Sequence, residues 1–346
     1  MKAMILAAGT STRLYPLTHA IPKPMVPVVN RPSLEHIILH LKKYGFHELV
    51  VNLHYLPHFI EQCLGDGSRF GVKIHYSKEE KLLGTAGSVK KMATLFDETF
   101  LVIGGDDISD MNLEDLLRLH KEKSALATIG LTRVEDPTRY GVVVTSPRNE
   151  IIRFVEKPKG KEVFSNLVNT GIYIFEPEVL DMIPDQEHYD FGRQLFPRFL
   201  EEKIPFYGLS LPGYWCDVGD LGAYRQAHWD ILYRRARLDI PGKKLRGRIW
   251  SEDGVLPDHV LAESPLLIGK HCTFGKDVKL IGPCVLGAGI EIGPGSVVRE
   301  TILWDRVRIG EGARLDHCII GADCEIEKGA ILEGAVNRSG QKVGVS

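Results

Sequence analysis

The feature that most narrows the fold lies in the last third of the chain, where apolar residues recur every six positions. Ile268, Phe274 and Leu280 stand six apart, as do Leu286, Ile292 and Val298, and then Leu303, Ile309 and Leu315. Ile320, Ile326 and Leu332 continue the series after a one-residue slip. Several are followed at once by glycine, as in Ile268-Gly269, Leu286-Gly287, Ile292-Gly293, Ile309-Gly310 and Ile320-Gly321. Hairpins would alternate at two. A period of six with glycine predicts a parallel β-helix whose coils stack apolar rungs, with glycine permitting the tight corners.

Upstream the rhythm differs. KAMILAA, HELVVNLHY, VKIHYS, FLVIGGDD and ALATIGL read as strands, separated by the helical stretches SLEHIILHLKKYG, HFIEQCLGDG, GSVKKMATLF and LEDLLRLHKEKS. This alternation predicts βαβ units around a mostly parallel, Rossmann-like sheet, with ligands beyond the carboxyl ends of the strands. After residue 140 come shorter strands, YGVVVT, IIRFVEKP and NTGIYIF, with helices near 191–202 and 220–237, expected as an insertion over the ligand edge. The stretch IPGKKLRGRIWSEDG, residues 240–254, has few apolar residues and reads as a linker. The expected organisation is a catalytic α/β domain over 1–239, the linker, and a β-helix with a short tail over 255–346.

Composition excludes several function classes. A net charge of −2 over 346 residues supplies no basic field for nucleic acid, so an anionic partner must meet local cations. No apolar run is long enough to span a bilayer, and the first residues enter a strand without a basic and then apolar leader, so neither membrane span nor signal peptide is expected. Cys63, Cys216, Cys272, Cys284, Cys318 and Cys324 form no CxxC or Cys/His group. That scatter fits reduced thiols in a cytoplasmic protein rather than disulfides or zinc.

Three stretches could carry chemistry. In LAAGTSTRLYPLTHAIPKPM, the small residues Ala7, Ala8 and Gly9 follow the first strand, where backbone amides can approach a base or a phosphate. Arg13 offers a fork for phosphate oxygens and Lys23, stiffened by Pro22 and Pro24, a fixed point charge. Asp106 and Asp107 end FLVIGGDD, and Asp217 lies in GYWCDVGDLGAY; a carboxylate facing phosphates is a plausible Mg²⁺ ligand. Asp110 or Asn112 better suits the cap of the helix that follows. Glu156 and Lys157 in VEKPKG, with Asn169 and Thr170 in NTGIYIF, pair hydroxyl acceptors with a cation, as a sugar phosphate would need.

Taken together, LAAGTSTRLYPLT…PKPMVP, LLGTAGS, GGDD, YGVV, VEKP, NTGIYIF and WCDVGD resemble, in order, the motifs of the sugar-1-phosphate nucleotidyltransferases, or nucleotide-sugar pyrophosphorylases. The resemblance covers nearly the whole chain. It implies a left-handed β-helix, a hand that periodicity does not reveal. It puts the nucleotide on Leu6, Ala7, Ala8 and Gly9, the base edge on Glu79 and Gly84 with Thr85 beside them, and the triphosphate on Arg13 and Lys23. Mg²⁺ falls to Asp106 and Asp217, and the sugar phosphate to Gly141, Glu156, Lys157, Asn169 and Thr170. Arg13, Lys23 and Asp106 are the implied catalytic residues. Ser11 replaces a usual glycine, and GGDD replaces a usual Asn-Gly-Asp.

The implied reaction is attack by a sugar-1-phosphate oxygen on the α-phosphorus of a nucleoside triphosphate, releasing pyrophosphate. The repeats ILW…IGEGA…IIGADCEI look most like those of mannose-1-phosphate guanylyltransferases, which favours GTP and mannose-1-phosphate. Guanine N1–H and its amine could both reach a carboxylate at Glu79, whereas uracil and thymine offer one imide N–H. The AAG start is frequent among uridylyl and thymidylyl enzymes, which keeps UTP or dTTP with glucose-1-phosphate as the alternative. A non-catalytic sensor of nucleotide sugars is a reading of another class, disfavoured because Lys23, Asp106 and Asp217 are all present. An acyltransferase using His271 or His317 is a third, disfavoured by the short β-helix. The end coils of that β-helix leave apolar rungs to cover, so homo-oligomerisation through it is expected.

Overall fold

A computed structural model describes residues 1–9 and 12–344. Ser11, and with it the expectation attached to its replacement of glycine, lies outside the described residues. In chain order, strand β1 (Lys2–Leu6) is followed by the hairpin β2 (Pro27–Val28) and β3 (Arg31–Pro32), then α1 (Ser33–Lys43) and β4 (Glu48–Leu53). Next come α2 (Pro57–Leu64), β5 (Lys73–Lys78), α3 (Gly84–Lys91), β6 (Phe100–Gly104), β7 (Asp107–Ser109) and α4 (Leu113–Lys123). The strands β8 (Ala127–Arg133), β9 (Gly141–Thr145), β10 (Ile151–Glu156) and β11 (Leu167–Phe175) precede α5 (Phe196–Glu201). Then follow β12 (Tyr207–Ser210), β13 (Trp215–Asp217) and α6 (Leu221–Leu232).

These elements belong to two compact units. The first gathers Met1–Thr10 and Ile37–Trp215; the second gathers Ser11–His36 and Cys216–Ser346. The division does not follow the expected domain boundary.

The first unit holds a sheet in the order β10-β9-β11-β6-β1-β4-β5, with β8 joined to β11 and β12 to β8. β1, β4, β5 and β6 pair in parallel, as the alternation of strands and helices requires. β9, β10 and β11 do not form an insertion over the ligand edge. They extend the same sheet antiparallel, β11 pairing with β6 through Tyr173 opposite Val102. Val142, Val143, Val168 and Ile172 are buried, so these short runs are core strands rather than surface cover. Phe175, Phe191, Phe196, Phe199 and Phe206 form an aromatic cluster, with Phe175 and Phe191 stacked 4.9 Å between centroids.

Helix ends follow local chemistry. Asn112 caps α4 by accepting from the Glu114 N–H, and α1 is followed by Gly45 at φ 82°. α3 begins at Gly84, three residues ahead of the expected GSVKKMATLF, because its first turn is docked elsewhere in the unit, as described below. The expected helix near 191–202 is a π-helical turn, Phe191–Leu195, leading into α5.

In the second unit three sheets of parallel strands stack coil on coil, forming a parallel β-helix. Leu266 opposite Cys284 sets a coil of 18 residues, and Val285 opposite Ile302 and Ile302 opposite Ile319 set coils of 17, in each of which the period of six slips once. Leu280, Leu286, Ile292, Val298, Leu303, Ile309, Leu315, Ile320 and Ile326 are buried along the axis. The corner glycines have a reason other than the expected one. A Cβ on Gly269 would lie 2.4 Å from the Gly287 backbone, and one on Gly287 would lie 2.7 Å from that of Trp304. Close stacking of successive coils excludes a side chain there. Residues 240–254 are not a linker: β14 (Lys243–Arg246) and β15 (Ile249–Ser251) pair, and β15 continues the stack with Ile249 opposite Leu266. Ile249 and Trp250 form a buried rung within a stretch otherwise rich in Gly, Lys and Arg.

Candidate functional site

The strand register brings three backbone ends to one edge of the first unit. Leu6 stands opposite Asn52 on one side and Gly104 on the other. Past Leu6, Ala7 and Ala8 are buried and Gly9 is exposed. The Ala7 N–H donates to Asn52 Oδ1 at 2.6 Å, and Asn52 Nδ2 donates to Glu79 Oε1 at 2.9 Å. The Leu83 N–H donates to Glu79 Oε2 at 3.1 Å. Glu79 is 5% exposed, and both its oxygens already accept. These bonds tie the small-residue loop to the loop over 79–83. Asn52 was missed by the sequence reading. Its signal was one polar residue in the apolar run ELVVNL.

Gly84 and Thr85 are held in the same manner. Asp190 Oδ1 accepts from the Thr85 N–H at 3.0 Å and from Thr85 Oγ1 at 3.2 Å. Thr85 Oγ1 accepts in turn from the Phe191 N–H at 2.9 Å. Gly84 has φ 74°, and a Cβ there would stand 2.7 Å from the Tyr189 carbonyl. The Thr85 hydroxyl thus docks α3 rather than facing a nucleotide, and Asp190 is a second residue the sequence did not reveal.

The loop after β6 lies against the loop after β1. The Gly105 N–H donates to the Leu6 carbonyl at 2.9 Å, and a Cβ on Gly105 would meet that oxygen at 2.7 Å. Asp106 is partly exposed, Asp107 is 5% exposed, and a carboxylate oxygen of each lies within 4.8 Å of the other. Hard divalent cations take such oxygens, so this pair fits one, and Asp106 is its accessible member. Asp110 is no helix cap: its Oδ1 accepts from the Tyr214 N–H at 2.7 Å.

Glu156 closes a niche made by two glycines. A Cβ on Gly141 would stand 2.8 Å, and one on Gly192 2.6 Å, from Glu156 Oε2. Burial raises the Glu156 carboxyl above the ordinary carboxylate range, partly offset by Lys157 and Arg193. Lys157 Nζ lies 3.9 Å from Glu156 Oε1 with its side chain largely exposed. Asn169 is partly exposed, donating to the Tyr173 hydroxyl at 2.8 Å and accepting from the Gly171 N–H at 2.9 Å. Thr170 is buried and donates to the Gly130 carbonyl at 2.7 Å, so it supports the strand instead of offering a hydroxyl to a sugar. Tyr140 and Trp215 meet edge to face at 5.3 Å beside this region.

The second unit carries the cations. Lys23 lies between Pro22 and Pro24 in a short 3₁₀ turn, and its Nζ stands 3.2 Å from Asp217 Oδ1. The missing Cβ of Gly219 would be 3.0 Å from Asp217 Oδ2 and 3.2 Å from Arg13 Nη1, so Arg13 and Asp217 border the same space. Arg13 is exposed. Guanidinium and ammonium groups are of the kind that binds phosphate oxygens. The His317 ring is committed to Glu300 at 2.8 Å and Asp316 at 2.6 Å, and the His271 backbone N–H donates to Asp253.

Residues 2–234 match the profile of the Nucleotidyl transferase family, and residues 262–346 match that of the GMPPB C-terminal domain. The chain is 40% identical to the UTP–glucose-1-phosphate uridylyltransferase of Synechocystis sp., covering 96% of this chain and 90% of that protein. It is 33% identical to mannose-1-phosphate guanylyltransferase 1 of Arabidopsis thaliana, covering 96% and 89%. A candidate glucose-1-phosphate thymidylyltransferase of Bacillus anthracis, solved with sucrose, superposes with a TM-score of 0.61 at 26% identity over 66% of this chain and 94% of that one.

Proposed function

Because the chain belongs to the nucleotidyl transferase family and is a sugar-1-phosphate nucleotidyltransferase, we propose that its preferred pair is UTP and glucose-1-phosphate. One observation carries the choice: this chain and a relative named for that pair match over 96% of this chain and 90% of the other. The relative named for this pair shares 40% identity. The sequence reading put GTP and mannose-1-phosphate first. That second reading is favoured by the match of residues 262–346 to the GMPPB C-terminal domain.

In the proposed reaction a sugar-1-phosphate oxygen attacks the α-phosphorus in line as the bond to pyrophosphate breaks. Backbone at Ala7, Ala8 and Gly9 admits the nucleotide, and the Gly84 backbone lines the base. Arg13 and Lys23 meet the triphosphate charge, and Glu156, Lys157 and Asn169 orient the sugar phosphate, with Gly141 leaving room for Glu156. Asp106 and Asp217 would hold Mg²⁺, which when bound neutralises charge on the phosphates. No described helix is long and apolar enough to cross a membrane, and a cytoplasmic setting with assembly through the β-helix is part of the proposal.

The test is pyrophosphate release with Mg²⁺, crossing UTP, GTP, dTTP, ATP and CTP with glucose-1-phosphate and mannose-1-phosphate. A dominant UTP and glucose-1-phosphate pair is expected. Dominance of GTP with mannose-1-phosphate would replace this reading with the second.

A further inference from the structure

The turn that carries Lys23 runs into a hairpin, β2–β3, whose residues Pro27, Val29 and Asn30 are hydrogen-bonded to α6 and to the β-helix of the same unit. The Val26 N–H donates to the Lys23 carbonyl at 3.0 Å, and Ser33 Oγ donates to the Pro24 carbonyl at 3.0 Å, which closes the lysine turn onto the hairpin β2–β3. At the start of the hairpin the Pro27 carbonyl accepts from the Tyr224 hydroxyl at 2.7 Å. That hydroxyl accepts from the Trp304 indole Nε1–H at 2.9 Å. Tyr224 and Trp304 are buried, and the Trp304 backbone N–H donates to the Ile320 carbonyl within the coil stack.

The next residues are pinned as firmly. The Val28 carbonyl accepts from His36 Nε2 at 2.9 Å, and the Val29 N–H donates to His228 Nδ1 at 3.3 Å. Asn30 Nδ2 donates to the Leu286 carbonyl of the β-helix at 2.7 Å and to Glu252 Oε1 at 3.2 Å. Val29 and Asn30 form the two-residue hairpin tip, with φ of 44° and 62°. That conformation suits Asn or Gly and disfavours a β-branched residue, so it persists only where the surroundings over-determine it. His228 of α6 and Glu252 and Leu286 on the β-helix side supply those surroundings.

We propose that Trp304, Tyr224 and Asn30 are positioning residues for Lys23, so that the β-helix is a working part of the transfer site and not only an appended module. The proposal rests on the reading above in which Lys23 meets the triphosphate. Trp304→Phe keeps the ring and removes the indole N–H; Tyr224→Phe removes the hydroxyl. Each is expected to lower kcat roughly 10- to 100-fold while the KM for nucleotide stays within about twofold, since the loss is of placement and not of ligand contact. In a Lys23→Ala background the same substitution is expected to cost nothing further, because the group it places is gone. An equal loss in both backgrounds, or none in the otherwise native chain, overturns the proposal. Thermal unfolding checks that Trp304→Phe is folded at the assay temperature, and Tyr224→Phe carries the same cycle if it is not. The reading of Lys23 itself is judged from Lys23→Ala alone, so the two failures are separable.

Discussion

Lys23 Nζ and Asp217 Oδ1 stand 3.2 Å apart across 194 residues of sequence, with side chains only 8% and 19% exposed. The pair joins the two roles that the sequence assigned separately, a cation for phosphate and a carboxylate for metal. A partly buried ion pair holds each partner in place, and removing one leaves the other uncompensated. Lys23→Ala is therefore expected to lose on the order of 10²-fold in turnover, the scale of one preorganised stabilising group. With Asp217 relieved of its partner, half-saturation by Mg²⁺ should fall several-fold. Pyrophosphate release over a Mg²⁺ titration reads both, and near-normal turnover would remove Lys23 from the mechanism.

Gly141→Ala probes the niche around Glu156. The new Cβ would lie 2.6 Å from Phe154 Cζ and 2.8 Å from Glu156 Oε2, so one of them must move. The KM for the sugar phosphate should rise on the order of 10-fold or more while the KM for nucleotide stays nearly fixed. Equal rises for both substrates would show a general disturbance of the sheet.

Asn52→Ala tests the framework role. It strips a partner from the buried Ala7 N–H and from Glu79 Oε1. Two buried groups left unsatisfied cost about 2–5 kcal/mol together. Urea unfolding should show a lower midpoint at unchanged slope; a loss under 1 kcal/mol would mean that the loops are held some other way.

Acid stability is governed in part by buried neutral histidines. Burial, the largest cause in each case, pushes the pKa of His36 and His40 down to about 4 and that of His228 to about 3. The unfolded chain takes up protons near pH 6.5 while the folded chain resists until about pH 4, so stability falls with pH across that window. Each histidine should contribute about 2 kcal/mol of this loss by pH 5. Chemical denaturation at pH 7 and pH 5 measures it, and equal stability at both would refute the assignment.

Thiol labelling separates two classes of cysteine. Burial pushes the Cys272 thiol up to about 11 and Cys284 up to about 12, and raises Cys318 and Cys324 as well. At pH 8 these thiols of the β-helix should react slowly with an aromatic disulfide until the protein is unfolded, leaving Cys63 and Cys216 as the faster sites. Rapid labelling at Cys284 in the native state would show that the coil stack opens.

Much of this protein was legible in its sequence, because the signals are local. Six-residue spacing from Ile268 to Leu332 encodes which side chains enter a coil, and KAMIL or ELVVNL encodes a strand whatever its neighbours. The edge where Leu6 and Asp106 emerge follows from the alternation of strands with helices. Tertiary structure decided whether a polar group is available or already satisfied. Glu79, Thr85 and Thr170 look like ligand contacts in sequence, yet Asn52, Asp190 and Gly130 engage them. It also decided that residues 12–36, with Lys23, fold with the β-helix and not with the sheet that precedes them in sequence. Hydrogen bonds and ion pairs saturate, and a partner tens or hundreds of residues away leaves no trace in local pattern; only the folded chain shows which groups remain for a substrate.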